Sequence, residues 1–459
     1  MQRPGDGCTS DRTGTPQRTR SPAWFYAYAP LNLANGATAP LIPLYMIIAL
    51  NASIFDVGLV VFFTSLTAVP GAILWGKLSD RLHRRRPFVL IGLVSFAVTL
   101  PIMAATRDLY VYLAANALLG LLQASAAATS SVLIMESFHP RQWPEQIGRF
   151  ARVSGIAFVG GLLLGAAWFG FAPAVLGPML ALDALFLIGA ALSAASVVVG
   201  MFTIKEGRHR VDRQAAIDAL AHLGHSIIEK RYGYLGRFTH ISALSFSGVR
   251  GQMRQPVGRF CLGIFLLFTG FLIFNAPLPV FLLREAGLAQ DLIFWVYIAN
   301  STLAAALYVY AGKRCRDRSP RRALLAASWS RVVVYPMFAV AVLVLGAGSP
   351  WALIALLALN AAAGASWAFI NVASSVVAAR LARPESKGQA MGLYNAAIGA
   401  GSIAGALLGG ALAAKLPYLE VFLAASVMIA AGAVTVATVR VTPEPKENTS
   451  APSPALSGA

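Results

Sequence analysis

The chain has 459 residues, of which 57% are hydrophobic and 12% charged, with a net charge of +18 at pH 7 and a mean hydropathy of +0.66. An ordinary globular domain carries about 25% charged residues, so a water-soluble fold is excluded. The ~10-residue alternating segments of a membrane barrel are missing too. Nearly all Lys and Arg fall in joints between apolar runs, so the charge points to membrane topology and not to nucleic acid.

Residues 1–23 are rich in Gly, Pro, Thr and Arg and read as a disordered cytoplasmic tail. The apolar run that starts at Trp24 is too long for a signal peptide. Apolar runs follow over 24–50, 55–78, 87–105, 109–135, 148–170 and 175–204. Six more occupy 257–283, 290–312, 323–345, 351–379, 389–414 and 418–441. Each is near the ~20 residues that cross a ~30 Å hydrocarbon core as a helix. The expectation is an all-α membrane protein of twelve spans, with six-helix halves at 24–204 and 257–441.

Between the halves, 205–256 reads as a cytoplasmic linker, and 442–459 as a second disordered cytoplasmic tail. Within the linker, Ile217, Leu220, Leu223, Ile227 and Ile228 form a helical stripe, which predicts an amphipathic helix on the membrane surface. His222 and His225 lie on that helix without further ligands, so no metal or other cofactor is expected. Cys8, Cys261 and Cys315 lack a Cys-x-x-Cys spacing and read as free thiols.

Lys and Arg crowd the joints after spans two, four, eight and ten, whereas the opposite joints hold little beyond Arg107, Arg284 and Lys415. The positive-inside rule then places both termini and the linker in the cytoplasm of a multi-pass cell-membrane protein. The joint after span two runs from Gly76-Lys77 through Asp80-Arg81 to Arg84, Arg85 and Arg86. That after span eight runs from Gly312-Lys313 through Asp317-Arg318 to Arg321 and Arg322. A second pair matches at Pro144-Glu145-x-x-Gly148 and Pro384-Glu385-x-x-Gly388, each leading into a glycine-rich span. Pro40 and Pro277 keep the same offset, so the two halves read as a duplication in one orientation.

Gly76-x-x-x-Asp80-Arg81-x-His83-Arg84-Arg85 resembles the signature loop of the major facilitator superfamily, and the resemblance covers all twelve spans. His83 stands where the family has Gly, and the second copy carries one extra residue before Asp317. The resemblance implies alternating access, with Asp80 capping the eleventh helix near Gly388–Met391 to brace one state. An anion gains ~0.3–1 kcal/mol at a helix N-terminus. Arg84, one turn beyond Asp80, then pairs with Glu136, while Asp317 with Arg321 is a weaker copy. At Gly76, loop and neighbouring helix are expected to approach closely, as are the halves at the glycines of spans five and eleven. Span five resembles the family's antiporter motif in its glycines but lacks that motif's proline.

The resemblance also implies a cavity lined mainly by spans one, four, seven and ten. Candidates for the substrate path are Asn32, Asn35, Gln123, Asn275, Asn360, Trp367, Asn371, Tyr394 and Asn395, with Asn116 beside them. Span one follows its amides with Pro40 and Pro43, which predicts a breakable helix, and span seven sets Asn275 next to Pro277 and Pro279. Amides are costly in lipid, so each faces the path or bonds to another helix. Asp183 in span six and Arg331 in span nine are membrane charges, hence candidates for coupling, although snorkelling or local pairing is the leading expectation for both.

The expected function is secondary transport of a small neutral or amphiphilic organic solute, with efflux ahead of uptake of a sugar-like metabolite. A proton or ion is the expected coupling partner, and the protein is expected to be a monomer with no nucleic-acid partner. A sensor or scaffold that kept the fold and lost transport is the rival. No phosphate loop, metal cluster or nucleophile–base pair points to an enzyme.

Overall fold

The computed structural model describes residues 23–82, 84–137, 143–204, 256–317, 319–381 and 387–439. Both tails, the expected linker helix and the Pro384-Glu385 joint lie outside them. Among the described residues, twelve helical segments are long and apolar enough to cross a membrane. In the first half they are Ala23–Ile48, Ile54–Gly76, Arg86–Ala105, Leu109–Ala127, Arg149–Leu176 and Pro178–Thr203. In the second they are Pro256–Arg284, Gln290–Cys315, Pro320–Leu345, Pro350–Leu381, Leu393–Ala413 and Tyr418–Ala437. Each coincides with one expected apolar run.

Prolines break the first span of each half, as expected for span one. Span one divides at Pro40 into Tyr28–Thr38 and Leu41–Ile48. Span seven divides at Pro277 into Pro256–Asn275 and Leu278–Arg284. Proline has no N–H to give and its ring crowds the preceding turn.

Glycine sets how closely the helices approach within a half. A Cβ on Gly161 of span five would lie 2.0 Å from the Leu33 carbonyl oxygen of span one. In the second half a Cβ on Gly401, Gly405 or Gly409 of span eleven would lie 2.5, 2.3 or 2.9 Å from the backbone of Phe265, Thr269 or Ile273 of span seven. The glycines of spans five and eleven, expected between the halves, thus mostly pack each half internally. Each span keeps a crossing contact: Gly165 meets the Phe294 ring of span eight, and Gly410 meets Gly58 of span two.

The halves therefore touch along two seams, span two with eleven and span five with eight. Segment Leu41–Ile48 of span one also meets Leu278–Arg284 of span seven. Buried side chains interlock at this end. Val280, Phe294 and Ile298 join the core of the first half, and Leu44 joins that of the second. All lie toward the sparsely charged end of the bundle.

Candidate functional site

The motif glycines sit on the seams. A Cβ on Gly58 would lie 2.8 Å from Gly410 Cα, and one on Gly399 would lie 2.6 Å from Val69 Cγ2. Gly76 comes eighteen residues after Gly58, or five turns at 3.6 residues, and so shares its helix face. A Cβ there would meet no described atom within 4 Å. Gly312 stands eighteen residues after Phe294, the residue that meets Gly165, and it too meets nothing within 4 Å. Among the described residues, both seams pack at the sparsely charged end and part toward the basic joints. The side chains of residues 388–392 in span eleven, against which the close approach at Gly76 is expected, lie outside the described residues.

The side chains of Asp80, Arg81, Glu136 and Asp317 lie outside the described residues, so the expected latch contacts do too. Arg84 is exposed, and Arg85 donates to the Ser79 hydroxyl. One arginine of each closing pair has a role that the sequence reading missed. Arg86 donates to the Met201 carbonyl at 2.6 Å, in the last turn of span six. Arg321 donates to the Ala437 carbonyl, at the end of span twelve. Carbonyls at a helix C-terminus lack intrahelical partners and carry partial negative charge, so a cation is favourable there. The equal spacing of the two arginine pairs was the available signal.

The amide candidates divide into clamps and exposed groups. Asn360 is buried, donates to the Val296 carbonyl at 2.8 Å, and receives Asn300 Nδ2 on its own carbonyl at 3.0 Å. It ties span ten to span eight. Asn300, its partner, was not singled out in the sequence. Tyr394 is likewise buried, its hydroxyl 2.7 Å from Ser374 Oγ, and it ties span eleven to span ten. Asn116 is buried against Tyr112 O and Met103 Sδ. Asn32 bonds back to the Tyr28 carbonyl at 2.8 Å. Asn35, Gln123 and Trp367 are half-buried, whereas Asn275, Asn371 and Asn395 are exposed.

Arg331 does not snorkel. It lies near the middle of span nine, is only 4% exposed, and turns inward. Its Nε donates to Ser366 Oγ at 2.7 Å, one terminal nitrogen to the Tyr335 hydroxyl, and the other to the Ala363 carbonyl at 2.8 Å. The guanidinium lies 4.6 Å from the Phe271 ring centre, 5.4 Å from Trp367 and 5.5 Å from Tyr335. Among the described residues no carboxylate pairs with it. Oriented dipoles and ring faces thus compensate the charge and bind spans seven, nine and ten together.

Asp183 pairs locally, as expected. Its carboxylate accepts from Arg107 Nη2 at 2.7 Å and from the Tyr45 hydroxyl at 3.0 Å. This hydrogen bond raises the Arg107 pKa further above its ordinary value. The cluster joins spans one and six to the joint after span three, at the sparsely charged end.

Solved structures share the fold. No curated protein sequence matches the chain. Among solved structures, the nucleoside transporter NupG superposes with a TM-score of 0.62 at 14% identity, over 91% of this chain and 98% of that one. A POT family transporter bound to a thioalcohol-conjugated peptide gives 0.70 at 11% identity, over 90% and 94%. Tetrameric PepTSo2 gives 0.69 at 14% identity, over 91% and 96%. These likenesses concern the fold. The sequence pattern of the Major Facilitator Superfamily matches residues 24–339 and again 260–457. With twelve spans, two alike halves and paired seams already in place, the match covers nearly the whole machine, and the chain belongs to the major facilitator superfamily.

Proposed function

We propose that this transporter moves a small organic solute by rocking its two halves about a central site, and that the conformation described opens toward the basic joints. The observation that carries the reading is the pairing along each seam. Gly58 and Phe294 are packed across the halves, while a Cβ on Gly76 or Gly312, five turns further on the same faces, would meet no described atom within 4 Å. Two seams closed at one end and parted at the other are what alternating access requires of one of its states. With the positive-inside rule, the basic end is cytoplasmic and the state faces inward.

The exposed amides Asn275, Asn371 and Asn395, with Trp367 beside them, favour a neutral or weakly amphiphilic solute over a charged one. Arg331 fits that reading, since its three hydrogen bonds and the rings around it leave little of its charge to offer. Asp183, engaged by Arg107 and Tyr45, is assigned to structure and not to proton coupling. Efflux is the direction we assign, on the resemblance of the span-five glycines to the antiporter pattern.

The test is alternating accessibility. A single cysteine at Asn395, in a background without the native thiols, is labelled by an impermeant maleimide in oriented proteoliposomes while candidate solutes are added. Substrate should change the labelling rate, and flux of the same solute should follow its gradient. Labelling that no solute changes, with no flux, would favour a sensor or scaffold.

A further inference from the structure

A cavity of about 900 Å³ lies away from the seam contacts, between spans eight, nine and ten. Its floor is made of alanines, among them Ala326 on span nine and Ala365 on span ten. Tyr310 and Phe369 line it as an edge-to-face pair with ring centres 6.0 Å apart. At its basic end stand Arg314 and Arg322, with Ser319 between them in the chain. Neither guanidinium has a hydrogen-bond or ion-pair partner among the described residues.

Three observations define the occupant. First, the cavity opens on the outside of the bundle: Trp329 and Val333, which flank it on span nine, are 46% and 63% exposed. Large apolar side chains suit a surface that meets lipid and are costly along a water-filled path. Second, from Arg322 to Val334 the lining extends over twelve residues of span nine, a rise of about 18 Å. One leaflet is about 15 Å deep, half of the ~30 Å hydrocarbon core. The groove therefore runs from the interface to the bilayer centre. Third, the two unpaired arginines sit at the interfacial end alone, with small apolar residues below them.

We infer that this groove is a binding site for an anionic glycerophospholipid, with its phosphate between Arg314 and Arg322 and one acyl chain against the alanines of spans nine and ten. Arginine suits a phosphate because its planar fork can give two parallel hydrogen bonds. The groove floor includes Ser366, which accepts from Arg331. An acyl chain there packs against the partner of the buried cation and shields it from water. The site depends on membrane residence only and is independent of solute and of transport direction.

The experiment uses the full chain, purified and reconstituted in nanodiscs of phosphatidylcholine with increasing phosphatidylglycerol. Thermal unfolding and the lipids retained in native mass spectra are the readouts. Wild type should gain stability and retain phosphatidylglycerol in preference to phosphatidylcholine. Arg314→Gln with Arg322→Gln should lower apparent affinity for phosphatidylglycerol about thirtyfold, taking the usual contribution of two interfacial cations. It should still unfold cooperatively in phosphatidylcholine. Ala326→Trp, which fills the groove and keeps both arginines, should abolish preferential retention. Lys313→Gln removes a cation of the same joint that does not line the groove, and should leave retention unchanged. Full stabilisation by inorganic phosphate alone would replace the lipid site by a simple anion site. Equal losses in Lys313→Gln and the double variant would reduce the effect to general attraction by a basic surface. Either result overturns the inference.

Discussion

Opposite glycine substitutions at the two ends of one seam should push the transporter in opposite directions. In the described state a Cβ at Gly58 would sit 2.7 Å from the Ala406 carbonyl oxygen and 2.8 Å from Gly410 Cα. Both are backbone atoms that cannot swing aside. Overpacking of this kind costs about 1–3 kcal/mol, and the cost falls only on states in which this end is closed. Gly58→Ala should therefore lower the population of the described state about 5–150-fold relative to its alternative. A Cβ at Gly76 meets no described atom within 4 Å, and replacing glycine by leucine in a helix gains about 1 kcal/mol of propensity. The alternative state, which must close the same seam at Gly76, would carry the clash instead. With Asn395→Cys as reporter, exposed in the first turn of span eleven, Gly58→Ala should slow labelling from the basic face. Gly76→Leu should speed it, and both should lower flux. Wild-type labelling in Gly58→Ala together with slowed labelling in Gly76→Leu would refute the seam argument.

Three further outcomes follow from the site. Arg331→Lys should lower the melting temperature more than Arg331→Met does. Lysine keeps a charge that costs ~2.5–3.5 kcal/mol in the membrane but lacks the fork that reaches Ser366, Tyr335 and Ala363 together, whereas methionine gives up the charge. Equal melting temperatures would remove this account of the network. Asp183→Asn should cost about 1 kcal/mol in thermal unfolding, since Arg107 is 47% exposed and the pair is only partly shielded. The pH profile of flux should not change, and loss of response to an imposed pH gradient would make Asp183 a coupling residue. Arg86→Gln and Arg321→Gln should each cost about 0.3–1 kcal/mol by uncapping spans six and twelve. Their effects should add, because they act in different halves, and a strongly non-additive double variant would contradict independent caps.

The twelve spans and the broken helix at Pro40 were legible because they rest on composition and covalent geometry, which a sequence carries directly. Which way a side chain faces was not. In a nearly all-apolar helix the hydrophobic pattern is flat, so nothing in span nine distinguishes an inward from an outward Arg331. Only the neighbouring Tyr335, one turn away, hinted at a partner. Asn360 and Tyr394 show a related ambiguity. A membrane amide or phenol must be satisfied, but a facing helix does that as well as a cavity does. Asn300 escaped notice because span eight was not among the spans expected to line the path. Gly76 was expected as a place of close approach from its motif alone, and the side chains of residues 388–392 that would face it lie outside the described residues.

The two halves share a frame but not a chemistry, and the division has a physical reason. Rocking needs two seams that open and close together, so each seam packs a glycine across the halves and the arginine caps repeat in both halves. A solute site needs no such equality. In the first half Asp183 is neutralised at the sparsely charged end by Arg107 and Tyr45. In the second, Arg331 is buried mid-span under Phe271 and Trp367, and Asn371 lies one turn beyond Trp367. The rings that shield the cation also bring spans seven and ten together beside the exposed amides. Substitutions that change which solute is carried are therefore expected at Asn275, Trp367 and Asn371. Those at Gln123 and Asn35 should alter rate more than choice, and a screen of solute uptake across these five positions separates the two cases.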